Sequence, residues 1–187
     1  MDAVKAHLRI PPGYTAEDDY LRSLRDVALA EVESKTGRKV LRQTWRLYLD
    51  NWPAGDSIEV PYPPLSTATA PVVTYVGSAS TSYTLSSTKY RTDAVSEPGR
   101  VVLRYDGEWA NETLDIMNAV RVQFQCGYQT STVPARLKQA MLIRIGDLYE
   151  NRESVAANVT LGTFAKNDIV DQLLAPFKVF HFGKEQE

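Results

Sequence analysis

The sequence has little of what most metal sites and nucleophilic active sites need. Its 187 residues include one cysteine, Cys126, and two histidines, His7 and His181. A single cysteine excludes an internal disulfide and a cysteine-rich zinc site. The histidines lie near opposite ends of the chain, without the H-E-x-x-H spacing that puts two imidazoles on one helical face. We therefore interpret both as surface or interface residues rather than ligands or catalytic groups.

The common motifs for phosphate binding and for serine or cysteine nucleophiles are also missing. No serine stands in a G-x-S-x-G elbow, and no G-x-G-x-x-G or G-x-x-x-x-G-K-[ST] loop is present. Cys126 has no neighbouring histidine and falls in a predicted strand, which favours an inert, half-buried thiol over a nucleophile. We expect neither an enzyme active site nor a cofactor.

The chain lacks an excess of positive charge and lacks long apolar runs. Lysine and arginine number 21 against 23 aspartates and glutamates, which gives a net charge of −2. This balance argues against tight nucleic-acid binding as the main task, because such affinity comes largely from neutralised phosphates. No segment approaches the ~20 apolar residues of a membrane span. The polar start, MDAVKAHLRIPPG, predicts a protein made in the cytoplasm without membrane insertion.

The strongest pattern that is present is helical and covers residues 133–153, VPARLKQAMLIRIGDLYENRE. Leu137, Met141, Ile145 and Leu148 repeat at helical spacing and form one apolar stripe. Apolar residues also occupy the neighbouring faces. A helix that is apolar on several faces is either central in its domain or covered by another chain. We therefore expect the rest of the chain, or a partner, to cover it.

Two helices are predicted before residue 43. Residues 3–10 form a short amphipathic pattern that ends at two prolines and a glycine. The next helix is expected to be capped by Thr15, with Asp18 completing a variant capping box. It should end at Gly37 in the left-handed conformation. Its buried stripe is predicted from four residues at helical spacing: Leu21, Leu24, Ala28 and Val32.

The middle of the chain has the alternating pattern of strands. Residues 43–50 and 119–126 alternate apolar and polar side chains. Further short strands are predicted at 57–60, 72–76, 83–85, 90–92 and 101–105. Short strands at this spacing indicate an antiparallel meander or a small sandwich. The sequence thus predicts an α+β fold with roughly four helices, an inserted antiparallel β region and an extended C-terminal arm.

The predicted boundaries follow from this order of elements. They place N-terminal helices of a helical core in residues 1–42 and the β insertion in residues 43–128. The C-terminal helices of the core and the arm fall in residues 129–187. Within this last part, a short helix is expected at residues 169–174.

The chain ends in an aromatic segment, PFKVFHF at residues 176–182. In an extended conformation Phe180 and Phe182 lie on one side and Phe177 on the other. Two interpretations stay open. The segment can pack back on the core of its own chain, or it can act as a docking arm that adds to a sheet edge of a partner.

Acidic residues recur at the end of the predicted central helix. Asp147, Glu150 and Glu153 are spaced by three, so they lie near one another. Such carboxylates can act as acid and base or bind a metal ion. Arg144 and Arg152 are close enough in sequence to neutralise them, which favours a solvated or intersubunit charge network. A small metal-dependent hydrolase using Asp147 and Glu150 is the weaker alternative.

Taken in order, several segments resemble one family, the head–tail connector (neck adaptor) proteins of long-tailed bacteriophages and of phage-derived gene transfer particles. The pattern VP…K-x-A…YENRE…LL-x-P-[FY], after a V-x-F-x-x-G-Y strand, carries the resemblance. The segments concerned are AVKAHLRI at 3–10, QTWRLYLD at 43–50, AVRVQFQCGY at 119–128, the stretch at 133–153 and LLAPFK at 173–178.

This resemblance implies a non-enzymatic subunit of the virion neck. It implies a homo-oligomeric, dodecameric ring beneath the portal protein, which also contacts the next neck protein, a stopper or tail-completion protein. The ring joins capsid to tail and helps to retain and conduct packaged DNA, which passes through the lumen without specific binding. A stand-alone β-rich protein-binding module remains the other alternative to this function.

The resemblance also implies roles for individual residues. The portal-docking arm would comprise the apolar residues Leu173, Leu174, Pro176, Phe177, Phe180 and Phe182. Candidates for contacts between subunits lie at the end of the central helix: Arg144, Asp147, Tyr149, Glu150 and Arg152.

Overall fold

The structure is a computed structural model that describes residues 1–152 and 168–179. In this part of the chain, four α-helices flank seven β-strands, and the predicted α+β fold is confirmed. The helices are α1 (Asp2–His7), α2 (Asp18–Thr36), α3 (Ala135–Glu150) and α4 (Asp168–Leu174). The strands are β1 (Gln43–Leu49), β2 (Ser57–Val60), β3 (Val72–Val76), β4 (Ser82–Thr84), β5 (Tyr90–Asp93), β6 (Gly99–Leu103) and β7 (Val120–Cys126).

The chain forms two compact units. The helical unit comprises Met1–Val40 and Val133–Glu187, and the β unit comprises Leu41–Thr132. The β unit is therefore inserted between the two halves of the helical unit in sequence. No helix among the described residues is long and apolar enough to cross a membrane.

The start of α2 differs from the prediction, whereas its end is confirmed. Glu17 is the N-cap residue, and no side chain caps the helix. Thr15 instead closes a turn, in which its carbonyl oxygen accepts a hydrogen bond from the backbone N–H of Asp18. The carboxylate of Asp18 pairs with the ammonium of Lys5 at 2.6 Å, so it does not complete a capping box. Gly37 ends the helix with φ of 70°, as predicted.

The core of the helical unit joins α1, α2 and α3. The predicted stripe of α2 is buried along its whole length. Leu21 and Ala28 of α2 pack in one cluster with Val4 of α1 and Ile145 of α3. Burial of the larger side chains of this cluster contributes about 1.5–3 kcal/mol each to the stability of the unit.

The innermost face of α3 is narrower than the sequence predicts. Leu137, Ala140 and Ile145 are buried, whereas Met141 and Leu148 of the predicted stripe are only half-buried. The helix begins after Pro134, which is the N-cap residue.

The β unit is a small sandwich of two antiparallel sheets. One sheet has the order β1-β7-β3-β4 and the other the order β2-β6-β5. The first and last strands of the unit, β1 and β7, are neighbours in the larger sheet. The strands of a meander pair in sequence order, so of the two predicted alternatives the meander is wrong. Their pairing has Trp45 opposite Phe124, Leu47 opposite Val122 and Leu49 opposite Val120.

Both sheets contribute to one core. Val73, Val122 and Phe124 of the larger sheet cluster with Ile58 and Val101 of the smaller one, and all five are at most 3% exposed. The thiol of Cys126 belongs to this core and is fully buried, not half-buried as the sequence suggested. The reason is the register of β7, which places every second residue from Val120 to Cys126 inside the sandwich.

Candidate assembly surfaces

The arginines predicted to neutralise acids on their own helix pair instead with α2. Arg144 Nε lies 2.5 Å from Glu31 Oε2, and Arg152 Nη2 lies 2.9 Å from Glu17 Oε1. The hydroxyl of Tyr149 donates a hydrogen bond of 2.7 Å to Glu17 Oε2. Three of the five predicted subunit-contact residues thus hold α3 against α2 within one chain. Whether they also touch another subunit stays a prediction.

The contacts around Glu17 form a compact cluster of charge and aromatic rings. The guanidinium of Arg152 lies 4.8 Å from the ring centroid of Tyr20 and 5.0 Å from that of Tyr149. The hydrogen bonds from Tyr149 and Arg152 lower the pKa of Glu17 below its usual value. The hydrogen bond to Glu17 also raises the pKa of Tyr149. The ionised form of the carboxylate is therefore the one that the fold selects.

A second ionic group connects α2 with α3 and α4. Glu31 accepts from Arg144 and also pairs with Lys35 at 3.3 Å. Lys35 reaches Asp171 of α4 at 3.1 Å. Burial lowers the pKa of Lys35, but its hydrogen bonds to Asp171 and Glu31 outweigh this effect and raise it. The charged residues of these helices are arranged to hold helices together.

The remaining acids of α3 do not form a metal site. Glu150 is exposed at the end of the helix, and the backbone carbonyl of Asp147 accepts a hydrogen bond from the Asn151 side chain. Glu153 lies outside the described residues. Within residues 1–152 and 168–179, no three His, Cys, Asp or Glu side chains are grouped so that they could hold a metal ion.

The end of the described chain is packed on the helical unit. Leu174 is fully buried, Leu173 and Phe177 are half-buried, and Pro176 is exposed. Arg38 Nε donates a hydrogen bond of 2.5 Å to the carbonyl oxygen of Phe177. In this conformation the side chain of Leu174 belongs to the core of its own unit, not to an accessible surface.

The extended segment after α4 is also tied down by its backbone. The N–H of Val179 donates a hydrogen bond of 2.9 Å to the carbonyl oxygen of Thr36, the last residue of α2. Phe180 and Phe182, the remaining residues of the predicted arm, lie outside the described residues. Their docking role stays a prediction.

The helical unit leaves apolar surface uncovered by its own described residues. Met141, Leu142 and Ile143 are half-buried on successive positions of α3. Val27 of α2 is 51% exposed and Ile169 of α4 is 59% exposed. The sequence predicted this property of α3 from its several apolar faces.

The larger sheet of the β unit presents two arginines on its outer side. We call this surface the arginine face; it encloses a shallow cavity of about 290 Å³ and comprises Arg46, Tyr48, Val72, Thr74, Arg121 and Gln123. In the register of the sheet, Arg46 lies opposite Gln123 and Tyr48 opposite Arg121. The alternation of β1 placed Arg46 and Tyr48 on one side, but sequence gave no sign that β7 would bring Arg121 beside them.

The connection between β6 and β7 carries the opposite charge. We call residues 105–118 the acidic loop, because this stretch contains four carboxylates and neither lysine nor arginine: Asp106, Glu108, Glu112 and Asp115. Three of its large apolar side chains are highly exposed: Tyr105 at 95%, Ile116 at 94% and Met117 at 70%. No sequence pattern singled out this stretch.

No protein-family model and no curated protein matches this sequence. Solved structures do match it. The chain is similar to a chain in the neck of an empty gene transfer agent (GTA) particle computed with C6 symmetry, with 22% identity and a TM-score of 0.78. That similarity covers 100% of this chain and 92% of the other.

Two further structures give the same result. In the neck of the native GTA particle, computed with C12 symmetry, the matching chain is 21% identical with a TM-score of 0.71, over 90% of this chain and 86% of the other. In the virion of the native gene transfer agent particle the values are 24% and 0.73, over 98% and 90%.

At this level of identity the similarity establishes the fold. The fold is that of a chain found in the necks of gene transfer agent particles. The sequence motifs and the comparison of whole structures thus point to the same fold.

Proposed function

We propose that this protein is a structural head–tail connector subunit in the neck of a tailed phage or gene transfer particle, and not an enzyme. The observation that carries the proposal is the similarity in fold to chains of GTA necks, over 100% and 90% of this chain in the two neck structures. Four ion pairs of the helical unit support it, because they connect different helical segments: Lys5 with Asp18, Lys35 with Asp171, Arg144 with Glu31 and Arg152 with Glu17.

The proposed assembly is a ring of identical subunits, with packaged DNA passing through its lumen. A cyclic ring uses two different patches on each subunit. The half-buried and exposed apolar residues of α2, α3 and α4 offer area for such contacts. The net charge of −2 suits a lumen that DNA slides through, because weak contacts do not retard it.

The proposed attachment to the portal protein uses the end of the chain. The segment up to Val179 is anchored to the helical unit by Leu174 and by the hydrogen bonds to Arg38 and Thr36. Because the chain is held in place up to Val179, the residues that follow begin at a defined position on the helical unit. Phe180 and Phe182 would then supply apolar anchors for a groove or sheet edge of the portal.

This attachment is tested by removing residues 180–187, which leaves every described contact of the helical unit in place. We expect the truncated chain to keep its circular dichroism spectrum and melting temperature but to lose co-sedimentation with portal rings. Changing Phe180 and Phe182 to serine at full length should have the same effect. The matched control changes Glu185 and Glu187 to glutamine and should bind normally.

The outcomes separate the arm from the wider proposal. If the truncated chain binds portal rings as well as the full chain, the docking arm is wrong while the connector role stands. If the full chain neither binds portal rings nor enters particles, the connector role itself is wrong.

A further inference from the structure

The two arginines of the arginine face have no carboxylate partner in the described part of the chain. Arg46 Nε donates a hydrogen bond of 2.9 Å to the side-chain oxygen of Gln123. The guanidinium of Arg121 lies 5.9 Å from the ring centroid of Tyr48, and its Nε lies 3.4 Å from the carbonyl oxygen of Asn118. Both therefore keep donors free for an anion, and a sheet holds them at fixed positions.

The rest of this face is neutral. The outward positions of β1, β7 and β3 hold threonine, glutamine, valine and tyrosine besides the two arginines, and no acidic residue. The nearest carboxylate beyond β1, that of Asp50, accepts a hydrogen bond from the N–H of Asn118. The outer side of the smaller sheet differs, because Arg100 there is paired with Asp93 at 2.7 Å. On the arginine face, by contrast, neither arginine has a carboxylate partner among the described residues.

The acidic loop is held in place although its apolar side chains are exposed. Trp109 Nε1 donates a hydrogen bond of 2.9 Å to the carbonyl oxygen of Gly55. The ring of Trp109 stacks on that of Trp52, with 5.0 Å between the ring centroids. The N–H of Asp115 donates to the carbonyl of Val76 at 3.0 Å. An ordered loop that presents large apolar residues to solvent is typical of a surface that a protein covers.

We propose that the arginine face receives the acidic loop of a second copy of this chain. The inference rests on the proposed ring, which requires two unlike patches on each subunit. The charges are complementary, since guanidinium groups bind carboxylates through paired hydrogen bonds. Ile116 and Met117 of the loop would be covered by Tyr48 and Val72 of the face.

A second copy explains more than a nucleic acid would. Phosphates would satisfy the two arginines but would leave Tyr105, Ile116 and Met117 exposed on the loop. A protein loop that carries both carboxylates and apolar residues satisfies the charge of one surface and the apolar area of the other. Specific protein interfaces combine these two features.

Charge reversal in full-length chains tests the contact. The face variant carries Arg46→Glu and Arg121→Glu, and the loop variant carries Glu108→Lys and Glu112→Lys. Each variant alone should self-associate at least about 100-fold more weakly than the wild type in sedimentation equilibrium, because like charges then oppose each other. Circular dichroism checks that each variant is folded.

Mixing the two variants provides the sharper result. The acidic face of the face variant is complementary to the basic loop of the loop variant. The wild-type face of the loop variant is likewise complementary to the wild-type loop of the face variant. An equimolar mixture should therefore regain association, and so should a chain that carries all four changes. Arg91→Glu, an exposed arginine on β5 in the other sheet, is the matched control and should associate like the wild type.

Three results would overturn the inference: a wild-type chain that stays monomeric up to millimolar concentration, a face variant that associates normally, or a mixture that fails to recover. None of them affects the portal-binding test of the connector role. Loss of salt-sensitive binding to duplex DNA in the face variant, with self-association unchanged, would assign the face to DNA phosphates instead.

Discussion

At the scale of single residues, the ion pair of Lys5 and Asp18 shows how a buried charge is accommodated. Lys5 is only 4% exposed, although lysine is rarely buried. Its ammonium lies 2.6 Å from Asp18 Oδ1, donates 2.7 Å to the carbonyl of Tyr14 and reaches that of Pro12 at 3.4 Å. One ion pair and two hydrogen bonds thus compensate the buried ammonium, and α1 is fixed to the start of α2.

Replacing one residue of the Lys5–Asp18 pair should destabilise the protein more than replacing both. We expect Asp18→Asn to destabilise the protein by about 3 kcal/mol, because the buried ammonium loses its counter-charge. The double variant Lys5→Met with Asp18→Asn should lose less stability than Asp18→Asn alone, because no unpaired buried charge remains. Urea unfolding of the full double-mutant cycle measures this coupling. Additive single effects would show that the pair contributes little.

Sequence predicted many residue environments and missed others. The buried stripe of α2 and the left-handed Gly37 follow from local spacing and from the absence of a β-carbon. The capping role of Thr15 was wrong, since Glu17 is the N-cap residue, and Asp18 pairs with Lys5 of another helix instead of completing a capping box. Sequence spacing indicates which partners a side chain can reach within its own helix. A charged group from a distant segment can bind that side chain instead.

At the scale of elements, the turn between β5 and β6 depends on one carboxylate. Asp93 accepts hydrogen bonds from the Ser96 hydroxyl at 2.7 Å and from Arg100 Nη2 at 2.7 Å. It also accepts from the N–H groups of Val95 and Ser96, both at 3.1 Å. The bonds from Ser96 and Arg100 hold the pKa of Asp93 well below its usual value.

This pKa shift predicts a pH dependence with a definite sign. A carboxyl group whose pKa is lowered by folding adds stability above its unfolded pKa of 3.8, and this stability is lost as pH falls below it. We expect the Asp93→Asn protein to lose less stability than the wild type between pH 6 and about 3. Urea midpoints measured across this range test it. Parallel pH profiles for the two proteins would contradict the assigned role.

The elements themselves were largely predictable, but their neighbours were not. The alternation in residues 43–50 and 119–126 predicted two strands with one buried side each. It did not predict that these strands pair, because a strand's pattern specifies its buried side and not the partner at its edge. The arginine face therefore could not be found from sequence, since its two arginines are 75 positions apart, 121 minus 46.

At the scale of the whole molecule, the β unit begins and ends at one place. Leu41 forms a bridge with Tyr128, and the N–H of Arg42 donates 2.9 Å to the carbonyl of Tyr128. A unit with its own core and adjacent ends meets the usual conditions for folding alone. The chain therefore enters and leaves the β unit at neighbouring positions, although the unit is inserted in the middle of the sequence.

We expect the excised β unit, residues 41–132, to fold by itself. Its core joins both sheets, and the aromatic contacts of Trp52 with Trp109 and Tyr75 lie within it. A dispersed amide spectrum in nuclear magnetic resonance and one cooperative urea transition would be the expected result. A collapsed spectrum without a transition would show that the β unit depends on the helical unit.

The sequence by itself determined the order of elements and the buried sides of α2 and of the strands. These depend on local periodicity and on residues with special backbone preferences. Only the tertiary structure decided that β1 joins β7, that Arg144 and Arg152 pair with α2, and that Leu174 belongs to the core. Such outcomes depend on which distant segments meet, because periodicity defines a surface without naming the partner that covers it.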